Sequence, residues 1–197
     1  MINAKPSKAR DAITILSEAA QSLQSIVSLA EAVERAAATI TQALQGGGKI
    51  FFCGNGGSAA DAEHLAGEFL GRFLLERAPW SAIALPANAA AMTAIGNDYG
   101  FEEVFARQLQ GLGRTGDVLI GISTSGRSAN VLKAMKVARG MGIYSIGLTG
   151  AKESPMDAAA DLILRAPADS TPRIQEMHIV VGHTLCELVE ARLIRNE

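Results

Sequence analysis

The chain has 197 residues, 48% of them apolar and 19% charged, which suits one folded domain with a sizeable core and excludes a disordered chain. Its 18 Lys and Arg against 20 Asp and Glu leave a net charge of −2, so nothing points to nucleic acid or an anionic membrane as the main partner. Two cysteines, Cys53 and Cys186, make no disulfide framework. With no apolar leader and no run long enough to cross a membrane, a cytoplasmic location is expected.

Residues from about 8 to 45 read as two helices. Ile13, Leu16, Ala20, Leu23, Ile26 and Val27 recur at helical spacing. Ser28 is placed to cap the second helix, which ends at Gly46-Gly47-Gly48. The apolar stripe packs on the core or on another subunit. Lys49-Ile50-Phe51-Phe52-Cys53 is a short apolar run, the first predicted strand. Gly54-Asn55-Gly56-Gly57-Ser58 follows, with Ser58 expected to cap a helix from Ala59 to about Leu75. Trp80–Leu85 is the second strand, closed by Pro86. Two short helices, 88–97 and 102–112, are joined by a polar loop, Gly96-Asn97-Asp98-Tyr99-Gly100. Asp117–Ile122 is the third strand and runs into Ser123-Thr124-Ser125-Gly126-Arg127-Ser128. A helix to about Met141 and a fourth strand, Tyr144–Thr149, come next. A short helix at Pro155–Ala159, a strand at Asp161–Leu164 and a helix from about Arg173 to Ile194 complete the chain.

Strands that alternate with helices and are apolar throughout predict an α/β fold with a parallel sheet covered on both faces. In such sheets ligands bind at the carboxyl ends of strands. The loops after the first and third strands both stand there.

Three groupings carry chemistry. Ser123-Thr124-Ser125-Gly126-Arg127-Ser128 puts four hydroxyls and a glycine at a helix N-terminus, where N–H groups and the dipole favour a phosphate. A capping turn needs only one or two hydroxyls. No G-x-x-x-x-G-K-[ST] occurs, which argues against triphosphate hydrolysis. Gly54-Asn55-Gly56-Gly57-Ser58-Ala59 matches a loose dinucleotide pattern. The acid expected at the end of the next strand is replaced by Ala84-Leu85-Pro86-Ala87, which argues against a nicotinamide cofactor.

The third grouping is His64 and Glu68, one turn apart on one helix face, with Gln175 and His183 on the last helix. These N and O donors suit zinc. An i, i+4 His–Glu pair is also an ordinary surface ion pair. Gln175 and His183 are about 12 Å apart along a straight helix. One ion takes both only if their side chains lean together, or two subunits contribute different ligands. His178, on another face, reads as a packing histidine. Asp61 and Glu63 read as the acidic first turn of their helix. Asn97 and Asp98 suit sugar hydroxyls or a plain turn.

These motifs together, with Arg173-Ile174-Gln175-Glu176, resemble the sugar isomerase (SIS) superfamily and, within it, the phosphoheptose isomerase family, over nearly the whole chain. The resemblance implies a three-layer sandwich with a five-stranded parallel sheet. Residues 1–197 would form one SIS domain, with helices in 1–47 added for packing and oligomerisation. It implies a homotetramer with sites between subunits, zinc on His64, Glu68, Gln175 and His183, and no nucleic acid or membrane partner. The substrate would meet Asn55, Gly56, Gly57, Glu68, Asn97, Asp98, Ser123, Thr124, Ser125, Ser128 and Gln175. Glu68 is expected as the base and His183 as the acid of an aldose–ketose isomerisation through an enediol. It would convert D-sedoheptulose 7-phosphate to D-glycero-D-manno-heptose 7-phosphate for lipopolysaccharide or capsule. Pro172 stands where some relatives have an acid, which puts catalytic help from that position in doubt. The alternative is a non-catalytic member that binds the replication initiator or senses a phosphosugar. The initiator-binding relative lacks an acid at the Glu68 position and a histidine at the His183 position. The sensors carry a DNA-binding domain that this sequence does not.

Overall fold

The computed structural model describes residues 10–194. Its elements run α1 (Ala12–Gln24), a 3-10 turn (Ser25–Leu29), α2 (Ala30–Gln45), β1 (Ile50–Gly54), α3 (Gly57–Leu70) and β2 (Ala82–Ala84). Then come α4 (Ala89–Tyr99), α5 (Ala106–Leu112), β3 (Val118–Ile122), α6 (Ala129–Gly140), β4 (Tyr144–Thr149), α7 (Met156–Ala159), β5 (Leu162–Arg165) and α8 (Thr171–Ile194).

The sheet is parallel, in the order β2-β1-β3-β4-β5. Strand side chains alternate between faces, and both faces here are apolar. Ile50 and Phe52 of β1 with Val118, Ile120 and Ile122 of β3 pack against α2, α3 and α8. Phe51, Cys53 and Leu119 point the other way, into a core with Phe105 at the N-cap of α5, Leu109 of α5, and Val131 and Met135 of α6. Helix, sheet and helix thus form the three layers expected.

Strand order reverses between β1 and β3, and a crevice opens at the carboxyl ends on either side of such a switch. The register aligns Gly54 with Ile122, so Asn55 and Ser123 leave the sheet at the same level. This alignment brings the glycine loop and the hydroxyl loop side by side.

Several local expectations are corrected. Ser28 does not cap α2: it lies in the 3-10 turn and its Oγ donates to the Ser25 carbonyl at 2.8 Å. Ser58 does not cap α3, because the chain turns earlier; Gly56 takes that position and Ser58 is buried inside the helix. The helix predicted to about Leu75 ends at Leu70, with Gly71 at its C-cap. The polar loop predicted over 96–100 is helical to Tyr99, because Gly96 is tolerated within a helix. The predicted start of the first helix, at residue 8, lies outside the described residues. Helix α1 has no buried residue, and Ile13, Leu16 and Val27 are largely exposed.

Candidate active site

The hydroxyl loop is held in a tight turn. The amide of Gly126 donates to the Ser123 carbonyl at 3.0 Å, and Gly126 has a φ of +62°, which an L residue rarely adopts. Ser123 Oγ and Ser128 Oγ are 2.8 Å apart. Ser125 Oγ accepts from the Arg127 amide at 3.3 Å. Behind the turn, Thr149 Oγ1 and Ser154 Oγ are buried without a hydrogen-bond partner among the described residues, and both stand where a Cβ on Gly126 would be. In front, Thr124 and Ser125 border a cavity of about 230 Å³ whose wall also carries Arg127, Lys152 and Asp169. A larger cavity, about 600 Å³, lies at the amino ends of the strands beside Gly48, Asp117 and Tyr144. None of the expected site residues lines it.

Asn55 is tied to a residue that motif reading missed. Its amide and that of Asn130 exchange two hydrogen bonds of 2.9 Å. Asn130 is buried in the first turn of α6, and its Oδ1 also accepts from the Val131 amide. The pair staples the glycine loop to the helix that begins at the hydroxyl loop. An Asn two residues past Ser128 gives no sequence signal that distinguishes it from an ordinary first-turn polar residue.

Gly57 opens α3 directly against Gln175 near the start of α8. A Cβ at Gly57 would run into the Gln175 amide. Glycine at this position therefore serves close approach. Farther along the same two helices, His64, Glu68 and His183 converge. Their ligand atoms all lie within 4.8 Å of one another. His64 Nε2 is 2.8 Å from His183 Nε2 and 3.4 Å from Glu68 Oε1. All three come from one chain, so no second subunit is needed to bring Glu68 to His183.

The donor set fits zinc. Two imidazole nitrogens and one carboxylate oxygen are ordinary zinc ligands, and a tetrahedral shell at zinc–nitrogen lengths spaces ligand atoms by about 3.3 Å. The observed spacings of 2.8 and 3.4 Å bracket that value. Gln175 packs on Gly57, two turns of α8 above His183.

Other expected residues fall elsewhere. Asn97 Nδ2 donates to Asp98 Oδ1 at 2.8 Å in the exposed last turn of α4. Among the described residues, no hydrogen bond joins the two side chains to the loops or the His/Glu cluster. His178 is a packing residue, 1% exposed, bonded through Nε2 to the Thr149 carbonyl at 3.2 Å. Burial pushes its pKa down to about 4, against a smaller opposing effect of that hydrogen bond. Asp61 is not in the first turn of α3, which begins at Gly57. Its Oδ2 is buried without a partner among the described residues. Burial raises its carboxyl pKa, opposed by His64.

Comparison with known proteins agrees with this picture. A family model described as SIS domain matches residues 15–150. The phosphoheptose isomerase of Rhodospirillum rubrum is 56% identical over 164 residues, covering 83% of this chain and 87% of the relative. That of Akkermansia muciniphila is 49% identical over 174 residues, covering 88% and 92%. The solved phosphoheptose isomerase of Neisseria gonorrhoeae superposes with a TM-score of 0.86 at 43% identity, covering 91% of this chain and 96% of that one.

Proposed function

Because the chain belongs to the SIS domain family and, within it, to the phosphoheptose isomerases, we propose that it turns D-sedoheptulose 7-phosphate into D-glycero-D-manno-heptose 7-phosphate. The product would supply heptose for lipopolysaccharide or capsule. The observation that carries the mechanism is the meeting of Glu68 and His183 in one cluster.

The phosphate is read onto Ser123, Thr124, Ser125 and Ser128 at the N-terminus of α6, beside Asn55, Gly56 and Gly57. There hydroxyls, turn amides and the helix dipole act together on one anion. His64 lies seven residues beyond Gly57, about 10 Å along α3. A seven-carbon chain is long enough to bridge that span. Gln175 at the top of α8, with Asn97 and Asp98, is assigned to the sugar.

At the far end, Glu68 takes a proton from C1 while His183, whose Nε2 would face the metal, gives its Nδ1 proton to the carbonyl oxygen at C2, leaving the neutral enediol. The proton on Glu68 then returns to C2. His183 recovers its own from the C1 hydroxyl, which becomes the aldehyde. Nothing is gained or lost, so one carboxylate and one imidazole suffice. His64, Glu68 and His183 would hold zinc, which supplies a Lewis acid for a sugar oxygen; Gln175, whose amide packs on Gly57 two turns of α8 away, would have to lean toward His183 or come from a second subunit to be the fourth donor.

The chain is read as one SIS domain over 1–197, acting as a homotetramer with sites at subunit interfaces. The exposed apolar side of α1 supports a packing role for the N-terminal helices. Absence of a long apolar helix among the described residues is consistent with the cytoplasmic reading.

The test is to incubate the zinc-supplied protein with sedoheptulose 7-phosphate and follow the aldose by NMR. Appearance of the heptose 7-phosphate supports the reading. An unchanged ketose spectrum sinks it.

A further inference from the structure

Glu190 lies seven residues beyond His183, two turns down the same side of α8. It is 1% exposed. Its Oε1 accepts from the Phe73 amide at 3.1 Å and from Arg77 Nε at 2.9 Å. Its Oε2 accepts from the amides of Leu74 and Leu75 at 2.8 and 2.9 Å. Arg77 is buried as well, with its guanidinium 3.6 Å from the centre of the Trp80 ring. The remaining Arg77 nitrogens cap the end of α3. They donate to the carbonyls of Glu68 at 2.8 Å, Phe69 at 3.0 Å and Gly71 at 3.2 Å.

A buried ion pair is a poor means of raising stability, because desolvation offsets most of its attraction. What this one does is fix geometry. The last carbonyls of a helix have no partner within it, and here Arg77 satisfies three of them, including that of Glu68 itself. The three amides on Glu190 shape the segment after α3, whose Phe73 ring lies 5.5 Å from the His183 ring, centre to centre. The His183 ring also meets that of His64, edge-on at 5.1 Å.

We propose that Glu190 and Arg77 are positioning residues for the isomerisation: together they set the Phe73 ring that orients the His183 imidazole and lock the helix turn that carries Glu68. The inference rests on the acid and base roles assigned above to His183 and Glu68.

Phe73→Leu, Phe73→Tyr and Glu190→Gln are compared by steady-state kinetics and thermal unfolding, with His183→Gln alongside. A misplaced catalytic group loses rate rather than binding, so Phe73→Leu and Glu190→Gln should lower kcat by about tenfold or more while KM stays within about twofold. Phe73→Tyr, which keeps the ring, should recover most of the kcat. If Glu190→Gln does not fold, the two Phe73 variants decide. Parental kcat in Phe73→Leu beside an inactive His183→Gln overturns the clamp alone. Full activity in His183→Gln overturns the acid assignment and the clamp's purpose with it.

Discussion

The Nε2 atoms of His64 and His183 face each other across 2.8 Å, though the residues are 119 positions apart. Two ring nitrogens that both present lone pairs repel at that distance. Without an ion, one of them must carry the hydrogen; with a shared cation, both present lone pairs to it. The contact is therefore a switch between a proton and a metal.

Zinc removal follows from this. Protein treated with a chelator is expected to lose turnover and regain it when zinc is restored. His64→Ala should weaken zinc binding by at least about tenfold, since even losing a group that merely orients a ligand costs that much. Competition with a coloured chelator reads the affinity independently of activity. An unaltered affinity in His64→Ala would remove this residue from the metal site.

Loss of the acid or base is expected to be more severe. Glu68→Gln and His183→Gln should each lower kcat by roughly 10²- to 10⁴-fold, the range that proton transfer by a positioned side chain contributes. Circular dichroism and melting should stay near the parent, since neither side chain belongs to the apolar core. Full activity in either variant would withdraw that residue's role.

How much of this was legible in the sequence depends on range. All five strands were readable, because a parallel strand covered on both faces is a continuous apolar run, as in Ile50–Cys53 and Val118–Ile122. The His64–Glu68 pair was readable because one turn separates them. The two N-caps were not: Ser28 and Ser58 have the right side chains, but the turns around them form one or two residues away. The convergence of His183 on His64 depends on how α8 crosses α3, which no local pattern encodes. The same holds for Arg77 and Glu190, which lie 113 positions apart and whose types alone suggest surface residues.

Gly57 offers a test that leaves the core untouched. Its φ is not in the left-handed region, so alanine meets no backbone strain there. The three atoms nearest the new methyl all belong to the flexible end of the Gln175 side chain, which must shift to admit it. Gly57→Ala is thus expected to melt within a few degrees of the parent. Displacing Gln175 should still lower kcat/KM by about tenfold, or ~1.4 kcal/mol of transition-state binding. Gln175→Ala should then add little to Gly57→Ala in the double variant. Strictly multiplicative losses would show that the two residues act independently.

His178 links stability to pH. Its folded pKa of about 4 lies below the ordinary value of 6.5. Between these values the unfolded chain binds the proton and the folded chain does not. Its contribution is therefore complete above pH 6.5 and is lost as the pH falls toward 4, by on the order of 3 kcal/mol in all. Glutamine at this position can still donate to the Thr149 carbonyl but does not titrate. Urea unfolding of the parent and of His178→Gln at pH 7, 5.5 and 4, the points that bracket this window, separates the effect from that of the carboxylates, which both proteins share. The parent should lose more stability than the variant on acidification. Parallel losses in the two would mean that His178 takes up its proton in the folded state as readily as in the unfolded one, and that the space around its ring admits a counter-charge or water.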